Sequence, residues 1–281
     1  MAGRVEGKVA AITGAGQGQG AATAKLMAAE GASVVVVDWD EDVADKTAKA
    51  IIDAGGECTK VVADVATVEG AQKMIDTALD RYGRLDILHN QVFGMQAGRL
   101  EDLTPEGFNE TVRLTLFSVF LGIKLAVPVM RRQGGGAIVN TASVSGLRGD
   151  PGLGAYAASK AGVISLTQTA SVEYGPSNIR VNVICPGNVN SESFQQAFGE
   201  GPGSKTWLTS PTPPPERTAE QMSAARQAMA DATPLKRITE PDEIARIALF
   251  LASDEASTLN GAVLVADGGM TNRSGAPAMF E

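Results

Sequence analysis

The sequence predicts a doubly wound α/β fold: a parallel seven-stranded sheet with helices on both faces. Three observations predict it. Short β-branched runs alternate with longer helix-like segments from one end of the chain to the other. The runs are apolar throughout rather than at every second residue, as in strands buried on both faces. A glycine-rich turn, TGAGQGQG at 13–20, joins the first run to the first helical segment.

Each element has its own signal. KVAAIT (8–13) reads as a strand and the segment 18–31 as a helix. SVVVVD (33–38) is a strand, followed by a helix over 41–56 that ends at a glycine pair. CTKVVAD (58–64) precedes a helix over 67–83, and LDILHN (85–90) is the fourth strand. Apolar spacing predicts one long helix over about 105–133. GAIVNTA (136–142) and NIRVNVIC (178–185) are strands flanking a helix that carries Tyr156, and GAVLVAD (261–267) is the seventh.

Residues 1–281 are expected to form a single domain with one insertion, at about 191–235. SPTPPPE inside it fits neither a helix nor a central strand. Phe194, Phe198 and Trp207 suggest a lid that closes apolar surface over a ligand; a variable surface insert is the alternative.

Apolar residues make up 44% of the chain and charged residues 20%, an ordinary globular balance. A net charge of −8, with no Lys/Arg run, argues against nucleic acid and anionic membranes as partners. No unbroken apolar run reaches the length of a membrane span, and the N-terminus lacks a signal-peptide pattern. Cys58 and Cys185 follow no ligand spacing and read as reduced thiols, hence a cytoplasmic protein. One histidine, His89, rules out a His-based metal site, and no metal is expected.

Two sites carry chemistry. In the first, Gly14, Gly16, Gly18 and Gly20, with Gln17 and Gln19 between them, let the backbone approach a ligand closely. The helix that follows directs free N–H groups and a positive dipole end at a pyrophosphate. Asp38 ends the second strand about 20 residues on, where a carboxylate bonds a ribose 2′-OH and repels a 2′-phosphate. No Arg or Lys lies within 14–24 or 38–45, so NAD is expected rather than NADP. Trp39 either flanks the adenine or covers the sheet edge.

In the second, Tyr156 and Lys160 lie four residues apart on one helix face, with Ser143 a short loop before them. A phenol has a pKa near 10, and lowering it about three units requires roughly 4 kcal/mol. An ammonium about 4 Å away supplies on the order of 4 kcal/mol at an effective dielectric near 20. Lys160 is therefore expected to tune Tyr156 into a base for an alcohol proton, while Ser143 holds the substrate oxygen.

TGAGQGQG, Asp64–Val65, Ser143, YAASK (156–160) and CPGNV (185–189) together resemble the short-chain dehydrogenase/reductase family, over about residues 5–270. The resemblance implies one Rossmann-like domain and NAD(P)-linked interconversion of an alcohol and a ketone. It implies that Tyr156 is the base, that Lys160 also bonds the nicotinamide ribose, and that Ser143 orients substrate. Asp64 and Val65 would lie against the adenine and Asn90 beside the adenosine ribose. Val189, after Pro186 and Gly187, would meet the carboxamide. A homotetramer built on the 105–133 and 154–174 helices is implied as well.

Two departures stand out. The family's N-N-A-G after the fourth strand is Asn90-Gln91-Val92-Phe93 here, a bulkier floor. The family's helix Asn is Thr115, whose hydroxyl can bond a water or a backbone carbonyl. These departures favour, as an alternative, a dinucleotide sensor with little or no turnover, whereas the intact Ser143, Tyr156 and Lys160 argue against it. TGAGQGQG and Asp38 speak against a third reading, a same-fold lyase or dehalogenase. The expected substrate lining is Val92, Phe93, Met95, Leu147, Leu153, Asn188, Phe194, Phe198 and Trp207, which suits a medium-sized hydrophobic or cyclic alcohol or ketone. Arg148 and Asp150 read as a solvated loop.

Overall fold

The β-branched runs form strands because both of their faces are covered. Val34, Val35, Val36 and Val37 of β2 (Ser33–Asp38) are all fully buried. The structure, a computed structural model, describes residues 3–192, 194, 208–210 and 218–272. Among them, β1 (Val9–Thr13), β2, β3 (Cys58–Val62), β4 (Ile87–Asn90), β6 (Gly136–Thr141), β7 (Ile179–Pro186) and β9 (Val263–Ala266) form one parallel sheet of order β3-β2-β1-β4-β6-β7-β9. This is the sheet expected from the sequence, with β2 as expected and the ends of the other strands shifted by no more than two residues.

Helices cover both faces. On one face α3 (Val68–Tyr82), α5 (Ser118–Arg132) and α6 (Gly154–Tyr174) enclose a core that includes Met74, Ile123 and Val163. On the other, α1 (Gly18–Ala29), α2 (Glu41–Asp53) and α8 (Pro241–Ala252) pack on Ile12, Val36 and Ile184. Local signals set the helix ends. Asp40 accepts from the Asp42 N–H at 3.1 Å to start α2, and Thr67 accepts from Gly70 at 3.0 Å to start α3. Gly83 closes α3 in the left-handed region at φ 76°.

The long helix expected over 105–133 is not uniform. It runs as α4 (Pro105–Val112), a π-helical turn (Arg113–Phe117) and α5. The widened turn centres on Thr115, a position that periodicity alone does not mark. The whole helix, Pro105–Arg132, is long and apolar enough to cross a membrane, which a count of unbroken apolar runs does not reveal. Yet 56% of its most apolar window is buried inside the protein, which makes it a core helix.

The insertion at 191–235 has structure of its own. A two-residue strand, β8 (Leu208–Thr209), pairs in parallel with β5 (Met95–Gln96). Helix α7 (Ala219–Asp231) starts with a capping box between Thr218 and Gln221. Phe198, Trp207 and most of SPTPPPE lie outside the described residues.

Candidate active site

A cleft enclosing about 800 Å³, its open mouth included, runs along the C-terminal ends of β1 to β4. It sits where the chain leaves β1 for β2 on one side and returns as β4 on the other. That is the switch point at which open α/β sheets receive ligands. Gly14, Gln17, Gly18, Gln19 and Gly20 line one wall, and α1 begins at Gly18 with its unpaired N–H groups beside the cleft.

Asp38 closes the far end, buried, accepting from the N–H of Gly16 at 3.0 Å and of Asp40 at 3.1 Å. Burial raises its pKa, and these backbone donors oppose the rise. Trp39 lines the rim, 39% exposed, and Asp64 and Val65 line the adjoining wall. The Asp64 carboxylate is already engaged: Oδ2 pairs with Arg113 at 2.8 Å and Oδ1 accepts from the Ala66 N–H at 2.9 Å. Gln19 Oε1 is buried without a hydrogen-bond partner. A glycine turn at a helix start, a buried carboxylate, no Lys or Arg lining it among the described residues, and an orphaned acceptor are what a dinucleotide with free ribose hydroxyls would satisfy.

Some expected contacts lie elsewhere. The Asn90 side chain is turned into the sheet, donating to Asn140 at 2.8 Å, and Asn140 in turn donates to Thr167 of α6 at 2.9 Å. Asn90 thus ties β4 to β6 and α6 instead of pointing its amide into the cleft. The physical reason is that a buried amide takes the partners within reach. The Val189 side chain is packed in the core with Ile184 and Ile244. Its main chain forms a parallel bridge with Thr239. Pro186 ends β7, and Gly187 donates to the Ala266 carbonyl at 3.1 Å, which ties this loop to the end of β9.

Ser143, Tyr156 and Lys160 do come together. Ser143 follows β6 and accepts from the Ser145 N–H at 3.1 Å. Tyr156 and Lys160 lie on the first two turns of α6, with Lys160 Nζ 5.5 Å from the centre of the phenol ring. Lys160 is buried and donates to the Thr141 carbonyl at 2.6 Å. The electrostatics differ from the expectation that the amine brings the phenol down. Burial pushes Tyr156 up to about 12, opposed by its interaction with Ser143. Burial also pulls Lys160 down to about 7. Desolvation penalises each charged form more than the pair can repay by itself.

The reshaped turn after β4 explains part of this. Phe93 meets Tyr156 edge-on, with ring centres 5.9 Å apart, and its face lies 5.8 Å from Lys160 Nζ. Val92 and Phe93 both line the cleft, as the bulkier floor expected from the sequence. The Thr115 hydroxyl accepts from the Gly94 N–H at 3.1 Å and donates to the Gly94 carbonyl at 2.8 Å. Its single hydrogen is committed there, so Thr115 braces this turn rather than relaying protons to Lys160.

His89 lies fully buried on β4, and burial lowers its pKa to about 4. Unfolded, it would titrate near 6.5, so between these values the unfolded chain binds more protons and stability falls as pH falls. We expect a loss of about 3 kcal/mol from pH 7 to 4 through this group. Denaturant unfolding across that range checks it: the pH slope should shrink in a His89→Asn variant.

Around the mouth, Gly98 bridges Leu153, which brings the 147–153 loop beside β5, and Leu147 is exposed. Asp150 is not merely a solvated loop residue. Its Oδ2 accepts from the buried Ser145 hydroxyl at 2.7 Å, and its charge works to keep Tyr156 protonated. Sequence reasoning also left out Leu114, Ser191 and Gln91, all of which line the cleft. For Gln91 a signal was present, since it stands where the family has a second Asn.

Similarity to known proteins agrees with this geometry. A family model described as enoyl-(acyl carrier protein) reductase matches residues 14–271. Meso-2,3-butanediol dehydrogenase of Serratia marcescens is 34% identical over 274 residues, covering 98% of each chain. The crystal structure of levodione reductase superposes with a TM-score of 0.85 at 33% identity, covering 96% of this chain and 99% of that one. That of 7α-hydroxysteroid dehydrogenase, complexed with NADH and 7-oxo glycochenodeoxycholic acid, superposes with a TM-score of 0.83 at 32% identity, covering 95% of each. The chain belongs to the short-chain dehydrogenase/reductase family, oxidoreductases that use nicotinamide dinucleotides.

Proposed function

We propose that the protein is an NAD(H)-dependent oxidoreductase that interconverts a secondary alcohol and a ketone on a medium-sized hydrophobic or cyclic substrate. The observation that carries it is the convergence of Ser143, Tyr156 and Lys160 next to a glycine-lined cleft with Asp38 at its far end. The dinucleotide would be held by the Gly14–Gly20 turn, by Asp38 at the ribose hydroxyls and by Lys160, and it supplies the hydride acceptor or donor and, when oxidised, a positive charge. Ser143 holds the substrate oxygen. Tyr156 takes the proton from an alcohol, or returns one to a carbonyl. Its protonated state in the free protein suits it as the acid for ketone reduction. Lys160, whose pKa burial brings near neutrality, charges in response to anionic phenolate and so stabilises it.

Support for the substrate class comes from the apolar walls of Val92, Phe93 and Leu114 and from the acidic Asp150 beside Tyr156. Like charge there disfavours phosphorylated or carboxylate groups close to the reacting carbon. Among the relatives, one is named for meso-2,3-butanediol, one for levodione and one for a 7α-hydroxysteroid, the last complexed with a 7-oxo steroid acid, which accords with an alcohol–ketone reaction on a small or ring-bearing substrate. A panel of alcohols and ketones with each oxidation state of NAD and NADP, followed by nicotinamide absorbance, tests it. We expect the highest kcat/KM on a neutral cyclic substrate; a phosphorylated substrate outperforming every neutral one would refute the class.

Asp38 decides the nucleotide in this reading. An Asp38→Ser variant should bind NADH about 10- to 100-fold more weakly, the worth of charged hydrogen bonds, with less effect on NADPH. An unchanged NADH/NADPH ratio of dissociation constants would remove Asp38 from that role. The proposal includes a cytoplasmic location, where the thiols of Cys58 and Cys185 stay free. It also includes a homotetramer, supported by the exposed Phe117 and Phe120 on the long helix beside Gly162 and Leu166 of α6. Light scattering would read its mass.

A further inference from the structure

We infer that Gln91 is a further dinucleotide-binding residue, its side-chain amide offering N–H donors to the cleft and aimed there by His89 acting through Thr141. The inference rests on the reading of the cleft as a dinucleotide site. The Thr141 hydroxyl sits between two side chains, 2.5 Å from Gln91 Oε1 and 3.0 Å from His89 Nε2. All three residues are buried, His89 completely. A hydroxyl has one hydrogen, so the chain of bonds runs in one of two directions.

In the first direction His89 Nε2–H donates to Thr141 and Thr141 donates to Gln91 Oε1. This leaves His89 Nδ1 as a bare acceptor and turns the Gln91 NH₂ to the cleft. In the second, a flipped Gln91 amide donates to Thr141, Thr141 donates to His89 Nε2, and His89 Nδ1 carries a hydrogen. His89 Nδ1 is buried and has no partner. The second direction therefore strands a buried N–H donor, whereas the first strands only a lone pair. The neutral ring, with its pKa held near 4, excludes a third arrangement with both nitrogens protonated near pH 7.

The first direction makes a definite prediction about the site. Among the described residues, Gln91 Nε2 has no protein acceptor and is not sealed from solvent, since the only buried partnerless side-chain atoms are Gln19 Oε1 and His89 Nδ1. Gln91 lines the cleft. Its backbone is pinned by donation from its N–H to Thr13 Oγ1 at 2.9 Å. It also lies against Gly14, where an added Cβ would stand 3.6 Å from the Gln91 carbonyl carbon. On its other side, Thr141 receives Lys160. The amide donors thus stand between the glycine turn and the catalytic lysine. They match an oxygen acceptor in the stretch of the dinucleotide between its pyrophosphate and the nicotinamide-side ribose. Gln91 binds; His89 and Thr141 are positioning residues.

The test has two readouts. With a single histidine in the chain, ¹⁵N-histidine labelling of the free protein reports one ring. The Nε2–H neutral tautomer is expected, and the Nδ1–H tautomer would overturn the inference. Calorimetric titration with NADH then compares wild type with Gln91→Met, Thr141→Val and the double variant. Each single change is expected to weaken NADH binding about three- to tenfold, the range for one lost hydrogen bond. The double variant should be no weaker than Gln91→Met, because both remove one bond. Equal affinity in wild type and Gln91→Met overturns the inference alone. A wild type that binds no NADH overturns the dinucleotide reading, and the assignment of a cofactor contact with it.

Discussion

Replacing Tyr156 with phenylalanine is expected to lower turnover by about 10²- to 10⁴-fold, the range a positioned acid or base supplies. The ring should stay in place. Phenylalanine keeps the edge-on contact with Phe93 and the approach of Lys160, and loses only the hydroxyl beside Ser143. NADH binding should therefore persist within a few fold. Stopped-flow turnover and NADH titration on the same variant separate the two, and undiminished turnover would take the proton-transfer role away from Tyr156. A companion result follows from the electrostatics. The chain has three tyrosines, and the pKa of each is raised: Tyr82 and Tyr156 to about 12, and Tyr174 upward. An ultraviolet titration of the free protein should show no phenolate below about pH 10, the ordinary tyrosine value. A phenolate appearing near neutrality in the free protein would mean that Lys160 alone does the tuning.

Gly20→Ala should be the most damaging small substitution in the cleft. A Cβ at Gly20 would stand 2.0 Å from the Gly14 carbonyl oxygen and 2.7 Å from its carbon. Both are main-chain atoms of the turn, so no side chain can swing aside. Either α1 or the turn must move, and the N–H groups that face the cleft move with it. We expect a loss of about 3 kcal/mol, the upper end for overpacking a close contact. Melting should fall on the order of 5–10 °C. Dinucleotide affinity should collapse even where the variant folds. Differential scanning calorimetry with and without NADH checks both, and a variant that melts and binds like wild type would show that the helix start does not need this close approach.

Much of the molecule is legible in the residues. The apolar strand runs place the sheet because a strand covered on both faces has no polar positions to spare. The glycine turn and Asp38 announce a nucleotide site because a close backbone approach and a strand-end carboxylate serve few other purposes together. The four-residue step from Tyr156 to Lys160 reveals a shared helix face. Less legible was the fate of side chains with several possible partners. Asn90 and Asp64 have the right residue types for the cleft, yet Asn140 and Arg113, remote in sequence, claim their polar atoms. The π turn at Thr115 and the pairing of β5 with β8 depend on contacts that no local pattern encodes.

The sequence by itself determined the fold class, the place of the cleft and the identity of the three groups that meet there, because periodicity and backbone freedom are local properties. Only the tertiary structure decided their ionisation. Burial drives Tyr156 up and Lys160 down, and a desolvation penalty is set by everything packed around a group. Tertiary packing also decided which way the buried bonds of Gln91, Thr141 and His89 run, because one stranded hydrogen costs more than a stranded lone pair.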